Sequence, residues 1–171
     1  MSASDHTALR RLDATGLPLL LSRLVLGGMF IWLGASKISD PISFLKLIRE
    51  YGLVPPDMSV VLNGMAVALP WLEIWCGVLL LLGVAIRGAG ASTLLLLCIF
   101  SFAILLRALD IYATGGQSFC EIKFDCGCGA GEQFVCAKLP ENLGLMLLSF
   151  VVLWSKSRRF CLASRLPKEP S

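Results

Sequence analysis

Four long apolar stretches, about Leu17–Ser36, Ser59–Leu82, Ala89–Leu109 and residues 140–155, alternate with polar ones and leave this chain few ways to fold. A run of roughly 20 apolar residues is what the hydrocarbon core of a bilayer demands of a helix. The expected fold is therefore all-α: an integral membrane bundle of four spans, with a short interfacial helix after span 1 and a Cys-rich exported loop between spans 3 and 4. Composition agrees, with 56% hydrophobic and 16% charged residues and a mean hydropathy of +0.77. Within 171 residues this arrangement predicts one membrane domain with a loop at 110–139, polar tails at 1–16 and 156–171, and no separate soluble domain. The net charge of +3 is small, and the cations are scattered or flank apolar runs, which sets nucleic acid aside as a partner and leaves the lipid bilayer. Residues 1–16 are polar, with Arg10 and Arg11, and the run after them is too long for a signal-peptide core, so it reads as a retained anchor.

Within the first span, Gly27 and Gly34 are a heptad apart on one face, a spacing that lets a second helix approach closely. The segment after it, PISFLKLIREYGLVPP, places Ile42, Leu45, Ile48 and Tyr51 on one side of a short helix ended by Gly52 and Pro55-Pro56. Pro70 predicts a kink in span 2. Arg107 and Asp110 close span 3, and Pro140 is expected to open span 4 with Glu141 in its first turn. That last span would be only about 23 Å long, so Lys156, Arg158 and Arg159 are expected to snorkel or the bilayer to thin. Charges inside spans are rare and seldom unpaired. Arg23 and Glu73, whose depths differ by about 5 Å when counted from the span ends, are expected to form a structural intramembrane pair. Cys76 and Cys98 read as small apolar packing residues, and Trp32, Trp71, Trp75 and Trp154 also read as packing.

Four spans put both ends of the bundle on one side. That side carries Arg10, Arg11, Arg87, Lys156, Arg158, Arg159, Arg165 and Lys168 against Asp5, Asp13 and Glu169. The other carries Lys37, Lys46, Arg49, Arg107, Lys123 and Lys138 against Asp40, Glu50, Asp57, Asp110, Glu121, Asp125, Glu132 and Glu141. Eight basic residues against six, with the acidic excess opposite, predict cytoplasmic termini. The loop between spans 3 and 4 then faces outward, where disulfides persist, and Cys161 is a free thiol on the reducing side.

That loop holds the chemistry. From Phe119 to Cys136, FCEIKFDCGCGAGEQFVC contains Cys120, Cys126, Cys128 and Cys136, four of the chain's 7 cysteines. C-x5-C-x-C-x7-C lacks the paired C-x2-C knuckles of structural zinc sites, and the one histidine, His6, lies on the far side. Stapling of a long loop by two inert disulfides is the plain alternative. A disulfide across Cys126-Gly127-Cys128 would close a very small ring with little loop-closure stabilisation, and an exposed strained bridge is an oxidising, labile one. Metal, inert staple and redox readings all remain open on spacing alone.

The segment DCGCGAGE followed by LPENLGLMLL resembles the C-x-C region and fourth span of the DoxX and MauE family of small membrane proteins. Arg23 with LVLGGMF, then GASKI, YGLVP and LPWLEIWCG, fit the first half in the same order. The similarity runs from about Leu17 to Trp154; Gly129 and Ala130 follow Cys128 where the family's usual pattern is C-x-C-F-G, and Cys120 and Cys136 are additions to that pattern. The resemblance implies a four-helix bundle of a bacterial inner membrane, with the loop in the periplasm, acting in thiol/disulfide redox maturation. An exported thioredoxin-like protein or a disulfide-containing client is the partner it implies, as in methylamine utilisation. It also implies two alternatives, a non-catalytic assembly or anchoring subunit and a quinone-linked oxidoreductase subunit, with a quinone as the cofactor to consider. Four cysteines allow three pairings, among which the sequence does not choose. By analogy with quinone-coupled thiol oxidases similar to vitamin K epoxide reductase, the expected pairs are Cys126 with Cys128 and Cys120 with Cys136, all four counted as catalytic.

Overall fold

The computed structural model describes residues 15–52, 55, 57–115, 118–125 and 132–155. Its elements are α1 (Leu17–Ser39), α2 (Pro41–Glu50), α3 (Ser59–Leu82) and α4 (Ile86–Gly115), then a 3-10 turn (Phe119–Glu121), β1 (Lys123–Asp125), β2 (Glu132–Phe134) and α5 (Val135–Trp154). Helices α1, α3, α4 and α5 are each long and apolar enough to cross a membrane. A helix closes its backbone hydrogen bonds internally, which lipid requires. Large apolar side chains also face outward, among them Val60 at 84% exposure and Leu95 and Leu147 at 61% each. In water such a surface would be a liability; against acyl chains it is the expected finish. The chain is a four-span membrane protein.

The most extensive helix pair is α1 with α3. Arg23, Gly27, Phe30, Gly34 and Lys37 are all buried along α1 at spacings of four and three, a single stripe facing its neighbours. The glycines set the distance. A Cβ at Gly34 would lie 2.6 Å from the Pro70 carbonyl oxygen, and one at Gly77 would lie 2.7 Å from that of Gly27. The expected close packing at Gly27 and Gly34 is thus present, with Gly77 as its counterpart on α3. Helix α3 continues through Pro70 and stops at Gly83, whose φ of 71° suits a residue without a Cβ. Leu26, Leu80, Leu96, Leu97, Leu145 and Val152 fill the bundle centre.

Helix α2 starts on Asp40, whose carboxylate accepts from the Ser43 amide at 3.1 Å. Hydrogen bonds from the Ser43 side chain and backbone hold the Asp40 carboxyl below its usual range. The buried face of α2 is Phe44, Leu47 and Ile48, of which Phe44 and Ile48 pack with Leu62 and Ala66 of α3, while Ile42 is 80% exposed. Of the expected face, Ile48 is buried and Leu45 packs against the same cluster, whereas Ile42 points away and Phe44 is buried instead, because α3 and not a flat membrane surface selects the apolar residues.

Two span boundaries also differ from expectation. Helix α4 runs on past Asp110 to Gly115, with Arg107 and Asp110 pairing along its surface at 3.1 Å and the Thr114 hydroxyl bonded to the Asp110 carbonyl. Helix α5 begins at Val135, so Pro140 lies inside it, and its 20 residues make about 30 Å, enough to span without thinning.

Candidate functional site

The Cys-rich segment folds onto the ends of α4 and α5. Strands β1 and β2 pair antiparallel with Lys123 opposite Phe134 and Asp125 opposite Glu132. The Lys123 ammonium sits 4.4 Å from the Phe134 ring centroid, a cation–π contact directly across the ladder. Below the strands, Ile122, Val135 and Ala108 are buried together, with Ile111, Phe119 and Leu139 packed around them. The Val135 amide donates to the Ile122 carbonyl at 3.2 Å, tying the hairpin to the first residue of α5.

Cys120, on the exposed 3-10 turn, and Cys136, half-buried as the second residue of α5, form a disulfide with Cα atoms 5.0 Å apart. This is the pairing expected for them. Cys126 and Cys128 lie in residues 126–131, which link the paired Asp125 and Glu132 and are outside the described residues. Cys161 also lies outside them. Among the described residues, no three His, Cys, Asp or Glu side chains gather in a metal-holding group.

The polar groups between the helices arrange themselves differently from expectation. Glu73, 1% exposed, pairs with Lys37 and not with Arg23. Arg23 instead donates through Nε to the Leu80 carbonyl at 2.7 Å and through Nη2 to the Leu81 carbonyl at 2.9 Å. The reason is register. With Gly27 against Gly77 and Gly34 against Pro70, Arg23 lies beside the C-terminal end of α3. Leu80 is then about 10 Å along the helix from Glu73. The last carbonyls of a helix are partly negative and lack intrahelical partners, and a guanidinium fork satisfies two of them. Lys37 also lies over two aromatic rings, 5.3 Å from the centroid of Phe44 and 4.7 Å from that of Phe100. On α5, Lys138 is buried and bonds Glu141 at 3.0 Å, and Asn142 donates to the Ser101 hydroxyl of α4 at 3.0 Å.

A family model described as methylamine utilisation protein MauE matches residues 15–155, which takes in all four spans and the hairpin. The chain belongs to the MauE family. No curated protein and no solved structure gives a match. The MauE match thus covers both the disulfide end of the bundle and the Arg23 end.

In this MauE-family chain the reading of the residues missed Lys37 and Lys138 as buried groups, counting both among the cations flanking the spans. The signal for Lys37 was present: it falls on the stripe of Arg23, Gly27 and Gly34. Lys138 had none, since it seemed to precede span 4. Cys76 is buried, whereas Cys98 is exposed on the outer surface of the bundle. The four tryptophans are not interior packing either: Trp32, Trp71, Trp75 and Trp154 are half or more exposed on the outward faces.

Proposed function

We propose that this chain is a membrane-bound thiol/disulfide redox protein of methylamine utilisation, supporting disulfide formation or maturation in an exported partner through Cys126 and Cys128. The observation that carries this reading is the Cys120–Cys136 disulfide at the start of α5, which secures both ends of the segment bearing the C-x-C. The family description supplies the pathway. The partner is a thioredoxin-like protein or a disulfide-containing client. The termini are cytoplasmic, and the hairpin faces the periplasm of a bacterial inner membrane.

In the exchange, a partner thiolate attacks one sulfur of the Cys126–Cys128 disulfide and a mixed disulfide forms. The second partner thiol then resolves it, leaving the partner oxidised and Cys126 and Cys128 as a dithiol. Two electrons and two protons pass to this chain. Gly127 and Gly129 leave the backbone free to present either sulfur. Cys120 and Cys136 are the second pair, able to accept those electrons by internal exchange.

Single Cys126→Ser and Cys128→Ser variants, isolated under alkylating and non-reducing conditions, test this. One is expected to carry a covalently attached partner, formed when its remaining thiolate attacks the disulfide of the oxidised partner in the reverse exchange, and reductant removes it. If neither does and both support the pathway as the parent does, the cysteines are inert staples of an assembly subunit. The Cys120→Ser variant separates the two pairs. Loss of a ring of this size (sequence separation 16) costs about 3 kcal/mol of stability on chain entropy alone, so a variant that is merely less stable yet, when combined with the trapping substitution, still carries partner assigns Cys120 a structural part.

A further inference from the structure

All five helices contribute to a cavity of about 180 Å³, walled mostly by Leu, Ile and Phe side chains. Lys37, Lys138 and Asn142 bring polar atoms to its lining. A buried water needs roughly 10–15 Å³ of such space and two to four polar partners, so water fits here by volume and by chemistry. Each lysine leads out of the cavity through an ion pair. Lys138 bonds Glu141, whose side chain is 40% exposed, and this pair reaches the surface. Lys37 bonds Glu73, which is 1% exposed and lies outside the lining. A line of polar groups thus runs from the surface at Glu141, through Lys138, the cavity and Lys37, to a carboxylate buried among the spans.

Glu73 ends that line half-satisfied. Its Oε1 accepts from Lys37, but Oε2 is buried without a hydrogen-bond partner among the described residues. An unpartnered oxygen is costlier on an ionised carboxyl than on a neutral acid, and a proton is the ligand that makes the difference. Ionisable groups inside spans are where membrane proteins carry protons. Lys37 has to tolerate the change. Its ammonium rides on a flexible four-carbon stem, lines the cavity and lies over the rings of Phe44 and Phe100. With Glu73 neutral, the ammonium turns from it into cavity water while both rings stay within reach. The other titratable groups on the surrounding elements are Tyr51 at the end of α2, Lys138 and Glu141 on α5, and Cys76 one turn along α3; α4 gives the lining apolar residues.

We propose that Glu73 is a proton-binding site, reached through the water-holding cavity with Lys37 as the relay. The Lys37 ammonium gives one proton to the Glu73 carboxylate and takes one from a hydronium ion in the cavity. Lys37 ends as charged as it began, Glu73 becomes the neutral acid, and the site gains one positive charge. This goes beyond the reading of Cys126 and Cys128 and does not depend on it. Infrared difference spectra of the full chain in detergent read the acid directly. They compare neutral buffer with acidic buffer in which near-ultraviolet circular dichroism still reports the folded bundle. A carboxylic-acid carbonyl band is expected in the parent, shifted to lower wavenumber in deuterium oxide and missing from Glu73→Gln. Glu73→Asp, expected to displace the band, makes the assignment if Glu73→Gln does not fold. Ala103→Leu narrows the cavity without touching either ion pair and is expected to slow deuterium exchange of the band at least tenfold; Leu69→Phe, also in the lining, serves if that chain does not fold. A folded parent with no acid band that these Glu73 variants remove or displace would make Lys37 and Glu73 a fixed structural pair. Parent-like exchange in a folded cavity-filling variant would remove the cavity as the route. Either result overturns the proposal.

Discussion

The two ends of the buried stripe on α1 solve the same problem in different ways. At one end Arg23 is 1% exposed and bonds two main-chain carbonyls; at the other Lys37 is 7% exposed and bonds a carboxylate. The guanidinium is planar and delocalised, and its fork matches the paired oxygens at a helix end. The ammonium is a compact point charge that stays in the interior only beside a full negative charge. The Arg23 end is accordingly a closed fastening of α1 to α3. The Lys37 end instead joins α1 to α3 through an ion pair and has a cavity beside it. Charge inside a membrane protein is thus not one signal: its meaning depends on what it is paired with.

Mutations at the two ends break this comparison most directly. Lys37→Met strands the Glu73 carboxylate and is expected to cost about 3–5 kcal/mol, while adding Glu73→Leu should recover most of that loss. Thermal or denaturant unfolding of the single and double variants measures it, and a double variant no more stable than Lys37→Met alone would show that the pair is not the unit. Arg23→Lys keeps the charge but gives up the fork. With one charged hydrogen bond lost, a cost of about 1.5–3 kcal/mol is expected in the same assay. Parent-like stability would mean that shape at the helix end is irrelevant. Between the ends, Gly34→Ala forces a Cβ against the Pro70 carbonyl and should cost about 1–3 kcal/mol. Gly28→Ala meets no atom within 4 Å and should be neutral or slightly stabilising. Equal behaviour of the two would remove the close approach of α1 and α3 as a source of stability.

Local signals carried most of the fold. Hydropathy is a property of consecutive residues, so the four spans and the short helix after the first were legible from their own side chains. The failures are those of relation. Pro140 looks like a helix opener because proline suits a first turn. Yet Val135 buried against Ile122, the Cys120 bridge and the Lys138–Glu141 pair hold five more residues in helix ahead of it. Arg23 and Glu73 were matched by counting from span ends, whereas the register is set by where glycines let backbones touch. The four loop cysteines were legible as the chemistry of the chain, and the Cys120–Cys136 pairing agrees with the analogy drawn from the sequence. Lys138 and Asn142 were not legible as groups facing a cavity, because that requires knowing which side of α5 meets α4.

The Cys120–Cys136 bond also changes the topology of the polypeptide. Between those residues the chain is no longer a line but a closed loop, and the third and fourth spans are joined twice, once through peptide bonds and once through sulfur. A single proteolytic cut anywhere inside the loop would leave one covalent molecule, and only reductant would then release two.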